Sequence, residues 1–349
     1  MKAVALQVSE RSVSQFEIDA AAPSAPASAA GAPGLIPLSW IFGALAVTVA
    51  TITLFMMRAD LGISLSVDLK ILLFVYLVGV TAALYYWHDA RTEWQRAMHD
   101  TVEHVSLFAL VCLLGTVATY PAAAASSGFA DAALQRADVL MRLDWLAWYG
   151  VVAAHPLLQL VERFAYESIY VSPAILLGYF AYAGRKPEAR LFIASFWLAA
   201  VMTILIFTLM PAEGPLAFLS HGHFSYMPES ALDQQQLIPL LRLHHLNSVN
   251  LGALKGLVSA PSFHAASATL FIVAAWPIRT LRWPLLLLNL AMLMSTPVEG
   301  THYFIDVPAG IAVALLAMAA MRRVAAWFAL TEASISAADS TYPRTPHPL

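Results

Sequence analysis

Apolar residues gather along the chain into eight runs separated by short polar stretches: Leu35–Met57, Ile71–Trp87, Val105–Ala125, Ser168–Gly184, Leu191–Pro211, Ser262–Ile278, Trp283–Val298 and Tyr303–Met321. A hydrocarbon layer roughly 30 Å thick needs about 17–25 such residues per helix. The seventh run is short and the fourth contains Pro173, so the pattern predicts six to eight transmembrane helices in an all-α, polytopic membrane bundle. The segment Asp131–Ala154 differs. Leu134, Val139, Leu140, Leu143 and Leu146 fall along one helical face, while Asp131, Gln135, Arg136, Asp138 and Arg142 lie largely elsewhere. That is the pattern of an interfacial amphipathic helix, with a packed re-entrant helix as the rival reading.

The flanks are different in kind. Residues 1–34 are rich in Ala, Ser and Pro and lack a basic start followed by a short apolar core, which predicts a disordered tail rather than a signal peptide. Residues 331–349 read the same way. The expected organisation is therefore a tail (1–34), N-terminal transmembrane helices (35–125), a second membrane domain (126–330) and a closing tail (331–349).

Composition agrees with the pattern. Hydrophobic residues make up 60% of the chain and charged residues 12%, against roughly 45–50% and about 25% in soluble domains. A net charge of −3 with scattered basic residues gives no footprint for nucleic acid. The single cysteine, Cys112, sits in an apolar run, so neither an internal disulfide nor a cysteine metal site is expected. If the N-terminus is cytoplasmic, then Arg91, Arg96, Arg185, Lys186, Arg190, Arg279, Arg282, Arg322 and Arg323 all fall on the cytoplasmic side, as the positive-inside bias requires. The starts of the runs at Ser262 and Tyr303 then lie at the outer face.

Two stretches at that face carry chemistry. "SAPSFHAAS" places His264 at the head of a span, with Pro261 and Ser262 suited to a helix start. "EGTHYFIDVPAG" places His302 at the head of another, with Asp306 four residues on, within reach if the two share a helical face. An imidazole oriented by a carboxylate is a nucleophile toward phosphorus, and a second histidine can protonate the departing oxygen. Amide groups at the helix start near Ser262 offer an anion site, and Arg242 and Lys255 are further candidate phosphate ligands. Two rival classes remain at this level: a metal site of His264, His302 and Asp306, and a transporter or scaffold with polar residues along its path. A protease is disfavoured, because neither His-Glu-x-x-His nor Gly-x-Ser-x-Gly occurs. The pairs His221/His223 and His244/His245 read as solvated loop residues.

"PSFH" and "GTHYFID", whose histidines stand 38 residues apart, resemble the second and third signature motifs of the type 2 phosphatidic acid phosphatase superfamily, which includes the vanadium haloperoxidases. "FTLMPAEGP", "ALQRADVLMRLDWLAW" and "KGLVSAPSFHAAS" are similar to its inositol phosphorylceramide synthase branch. The resemblance spans roughly Asp131 to Met321. It implies a phosphatase- or phosphotransferase-like catalytic domain, with His302 as the nucleophile that becomes phosphohistidine, Asp306 as its orienting partner and His264 as general acid. It further implies no metal or other cofactor, and a lipid phosphate substrate in the outer leaflet of a bacterial inner membrane. Two elements of the family pattern are absent: the Lys-x6-Arg-Pro signature, and the arginine six residues before the nucleophile, where Thr296 stands. Oligomeric state and acceptor are not encoded in these motifs.

Overall fold

The computed structural model describes residues 33–341 apart from 221–223 and 231; the N-terminal tail predicted over 1–34 lies almost wholly outside them, as do His221 and His223. Thirteen helices are seen among the described residues: α1 (Leu38–Arg58), α2 (Val67–Tyr86), α3 (Glu93–Ala125), α4 (Asp131–Leu140), α5 (Trp145–Ala154), α6 (Pro156–Glu167), α7 (Val171–Tyr182), α8 (Lys186–Leu209), α9 (Pro215–Ser220), α10 (Asp233–Arg242), α11 (Phe263–Ala275), α12 (Arg282–Glu299) and α13 (Asp306–Thr341). Described strand is confined to one short parallel pair, β1 (Gly62–Ser64) with β2 (Ser248–Asn250). Each of the eight apolar runs became a helix. Five helices, α1, α2, α3, α8 and the apolar part of α13, are long and apolar enough to cross a membrane. The chain is an all-α polytopic membrane protein.

Local chemistry sets several boundaries. Thr92 and Gln95 close a reciprocal capping box at the start of α3, and Ser66 caps α2 by accepting from the Leu69 amide at 3.2 Å, each occupying amides that a helix start leaves without partners. At its far end α13 runs on to Thr341, so helix occupies much of the stretch that composition assigned to the closing tail.

The core forms where α8 packs against α3, α11 and α13. Phe192, Phe196 and Phe271 interlock there with Phe108 at ring separations of 4.6–6.2 Å, arrangements that add to the burial of the rings. By contrast, α2 fully buries none of its residues and touches the bundle along one face, on α3; an apolar helix so exposed suits a lipid surrounding. At the basic end of the bundle the Arg190 guanidinium donates to Glu103 at 2.8 and 3.1 Å and to the Ile36 carbonyl at 3.3 Å, which joins α8, α3 and the segment before α1.

The opposite end gathers the start of α11, the start of α13 and the loops around them. The Ser262 amide donates to the Asp306 carbonyl at 3.1 Å. One turn into α13, Gly310 faces the Ser262 carbonyl so closely that an added Cβ would collide with it and press on Ala265 at 3.0 Å. Glycine is required there by close backbone approach, and small-residue contacts of this kind are how helices come together in lipid. Gly310→Val is therefore expected to part α11 from α13 and lower the unfolding midpoint. Thermal unfolding in detergent beside a Gly79→Val control, on the open face of α2 where no atom lies within 4 Å, checks this; equal midpoints would refute the contact's role.

Candidate active site

His302 lies not on a helix but in the tight turn between α12 and α13. The His302 amide donates to the Pro297 carbonyl at 3.1 Å, and Thr301 takes a left-handed φ of 49°. The ring is 3% exposed, and its Nδ1 lies 2.5 Å from the Ser259 carbonyl oxygen. A carbonyl only accepts, so this contact puts the proton on Nδ1 and leaves the lone pair on Nε2. Gly300 sits under the ring: a Cβ there would come within 2.6 Å of His302 Cδ2.

Asp306 meets this histidine differently from the shared helical face expected from the sequence. Because α13 begins at Asp306, His302 precedes the helix. The carboxylate accepts from the Tyr303 amide at 3.0 Å and stands 3.7 Å from His302 Nδ1. That is beyond hydrogen-bond distance, though close enough to favour a positive charge on the ring.

His264 occupies the first turn of α11, after Ser262, whose side chain accepts from the Ala265 amide at 3.3 Å and caps the helix. Its ring stacks on Tyr166 at 3.9 Å with an 18° tilt. Both histidines line a single cavity of about 580 Å³, within the size range of small-molecule sites. Its polar end holds His264, His302, Ser230 and Gln234, and its body runs down between α3, α7 and α8 past Cys112, Gly115, Leu177 and Phe196. Among the described residues no Lys, Arg, Asp or Glu lines it.

The candidate phosphate ligands are distributed unevenly. Ser262 stays at the α11 start, fully buried, its oxygen used as the cap. Arg242 is directed away, to Ser126 Oγ at 2.9 Å and the Gly128 carbonyl at 2.8 Å, over the Phe129 ring. Lys255 is half-exposed, 3.4 Å from Asp233. Neither basic residue lines the cavity. A shared metal on His264, His302 and Asp306 is poorly served, since His302 Nδ1 and an Asp306 oxygen already face protein partners. The described group that could gather on an ion, His99, Asp100 and Glu103, lies elsewhere, and Lys186 and Arg190 pair with its carboxylates.

Several supporting residues escaped the sequence reading. Asp131 and Asp138, assigned to the polar face of an interfacial helix, are 2% and 0% exposed. Asp131 accepts from the Glu213 and Gly214 amides and from the Tyr303 hydroxyl at 2.8–3.0 Å. Asp138 accepts from the Phe304 and Ile305 amides at 2.9 Å. The two carboxylates thus hold the turn that carries His302. Burial raises the Asp138 carboxyl above the usual range while its two amide donors pull it back. Burial and the adjacent Asp131 raise the Tyr303 phenol, keeping it a donor. Their spacing of seven residues, two turns along one face, was the available signal.

A second brace crosses the site. Glu299 accepts from the Tyr226 hydroxyl at 2.6 Å and the Glu229 amide at 3.0 Å, while its carbonyl accepts from the Ser230 amide at 3.0 Å. The Ser230 hydroxyl in turn lies 3.1 Å from that of Tyr166, the residue stacked on His264. Nearby Glu162 is buried, and desolvation reinforced by Glu299 lifts its carboxyl from 4.5 to about 7. The folded state therefore holds this proton more tightly than the unfolded chain, and stability falls as pH rises across that window. Glu162→Gln should raise the unfolding midpoint at pH 8 and leave it near wild type at pH 4.5. Thermal unfolding at both values checks this; an equal shift at both would rule out the titration.

Comparison with curated proteins and with solved structures gave no match. The sequence model of the PAP2 superfamily, in contrast, matches residues 132–320. That interval runs from α4 into the first half of α13 and contains both histidines, Asp306, Asp138 and Glu299, with Asp131 standing one residue before it. It covers more than half of the chain, and with the fold described above it establishes that this integral membrane protein belongs to the PAP2 superfamily, a membership that supports phosphatase or phosphotransferase activity.

Proposed function

We propose that the protein is a membrane-embedded lipid phosphatase or phosphotransferase that works through a phosphohistidine at His302, on the outer face of a bacterial inner membrane. One observation carries the reading: His264 and His302 stand together at the polar end of a cavity whose body is apolar and runs into the bundle. A phosphate ester with an acyl tail matches that division, tail in the body and phosphorus at the histidines.

The chemistry follows from the tautomer. With Nδ1–H held by the Ser259 carbonyl, the Nε2 lone pair attacks phosphorus, a P–N bond forms and the P–O ester bond breaks. Asp306, 3.7 Å away, offsets the positive charge that develops on the ring. Protonated His264 gives its proton to the departing alkoxide, its charged form favoured by the phosphate dianion beside it. In the second half, neutral His264 takes a proton from water or an alcohol as that oxygen attacks phosphorus and releases His302. Water yields free phosphate; an alcohol yields transfer.

Removal of His302 should abolish turnover of every phosphate ester alike. His264→Ala should cost lipid phosphates, whose leaving groups are strongly basic, roughly 10²–10⁴-fold, and cost nitrophenyl phosphate far less. Steady-state assays on both substrates, with folding verified, test the pair of roles. Equal losses in the His264 variant would remove the general acid. Because the Ser259 carbonyl already sets the tautomer, Asp306→Asn should fall well short of the roughly 10⁴-fold loss seen where a carboxylate alone fixes it; a full loss of that size with the fold intact would show that the carboxylate orients the ring.

A further inference from the structure

The polar groups of the cavity wall can be accounted for one at a time. The hydroxyls of Thr116, Thr119 and Thr203 turn back onto helix carbonyls at 2.7–3.0 Å. Ser230 and Tyr166 hydrogen-bond each other at 3.1 Å, and His302 Nδ1 faces the Ser259 carbonyl. Among the buried side-chain polar atoms of the described wall, Gln234 Oε1 is the exception. The residue lines the cavity alongside both histidines, is 3% exposed, and its Oε1 has no hydrogen-bond partner. A buried amide oxygen without a partner is costly, and such groups call for a specific explanation.

The helix that carries Gln234 is anchored at its start. The residue stands in the first turn of α10, where the Asp233 amide donates to the Ser230 carbonyl at 3.3 Å and the Asp233 carboxylate pairs with Lys255 at 3.4 Å. A fixed helix start therefore presents one neutral carboxamide beside the reacting position.

The chemistry of that group selects its partner. Oε1 accepts and needs a donor, whereas the oxygens of a phosphate dianion only accept. Apart from the two histidines, the described wall offers no charge to an ionic group. A hydroxyl can donate to Oε1, where a phosphate oxygen cannot. We propose that Gln234, with Ser230 beside it, forms a subsite for an alcohol hydroxyl adjacent to the phosphorus, carried either on the phosphate ester or on the alcohol that attacks the phosphohistidine. Gln234 is then a specificity residue for the reaction proposed above, on which this inference rests. A site built to hydrogen-bond a hydroxyl discriminates against the analogue lacking it, because the buried polar group is left unpaired.

The test uses the full chain in detergent micelles. One arm compares a 1-acylglycerol 3-phosphate, which has a free hydroxyl next to its phosphate ester, with the same lipid lacking that hydroxyl. The other compares glycerol with 1-propanol as acceptors, read as alkyl phosphate formed relative to free phosphate. Wild type is expected to favour the hydroxylated member of one pair, and Gln234→Met, similar in shape without the hydrogen bond, to reduce that preference about tenfold. Collapse of the first ratio assigns the subsite to the donor, and of the second to the acceptor. Gln236→Met, on the exposed side of the same helix, should leave both ratios unchanged. Gln234→Asn, which keeps the amide but withdraws it by one carbon, serves the same comparison if the Met variant does not fold. Wild type that turns over these esters with no preference in either arm, or with preferences unaltered in the Gln234 variants, overturns the subsite alone. Wild type that cleaves neither ester removes the phosphoryl-transfer reading and the subsite with it.

Discussion

The close backbone approach of α11 and α13 is the constraint on which the rest of the site depends. The Ser262 amide reaches the Asp306 carbonyl, and Gly310 lies against the Ser262 carbonyl with no room for a side chain. These two contacts bring together segments whose histidines stand 38 residues apart, and they set both helix starts at the same level of the bundle. In lipid no general hydrophobic force draws two apolar helices together, so close packing and hydrogen bonds must supply the association. The same contact thus contributes to the fold and assembles the candidate catalytic pair.

Around that contact the outer segments act as a scaffold. The α4 carboxylates hold the turn after His302, and Glu299 ties the 226–230 loop to the end of α12. Because the turn carrying His302 is irregular, the amides that follow it, from Tyr303 to Ile305, have no helical partners. Buried amides require acceptors; Asp138 and Asp306 provide them, and Asp131 accepts from the Tyr303 hydroxyl. Aspartates that look solvent-facing in the sequence are therefore buried acceptors that hold this turn.

The cavity departs from what a phosphate site usually offers, since its described lining contains no fixed positive charge. Arg242 and Lys255 are drawn instead into contacts that hold the outer segments. In the proposed reaction the charge of the phosphate is met by His264, the developing charge on His302 and the start of α11, while neutral groups such as Gln234 select among partners. A wall without lysine or arginine suits a ligand whose greater part is hydrocarbon, because a buried cation would have to be desolvated before any ligand arrived.

Much of this was legible in the chain. Hydropathy over a span length depends only on neighbouring residues, so all eight apolar runs and the all-α membrane fold could be read directly, as could the two histidine motifs and the superfamily they resemble. The sequence also places His264 correctly at a capped helix start, because Ser262 and the residues after it settle that locally. The partners of His302 could not be read in this way. Its ring faces the carbonyl of Ser259, 43 positions earlier, and its turn is held by Asp138, 166 positions before Phe304; such contacts follow from helix packing, and a backbone carbonyl has no signature in the side-chain sequence. The tight turn before α13 likewise separates His302 from the helical face it was expected to share with Asp306. Composition and periodicity determined the helices and the kinds of group at the site; tertiary structure decided which groups meet, because hydrogen-bond partners are fixed by distances across the bundle rather than along the chain.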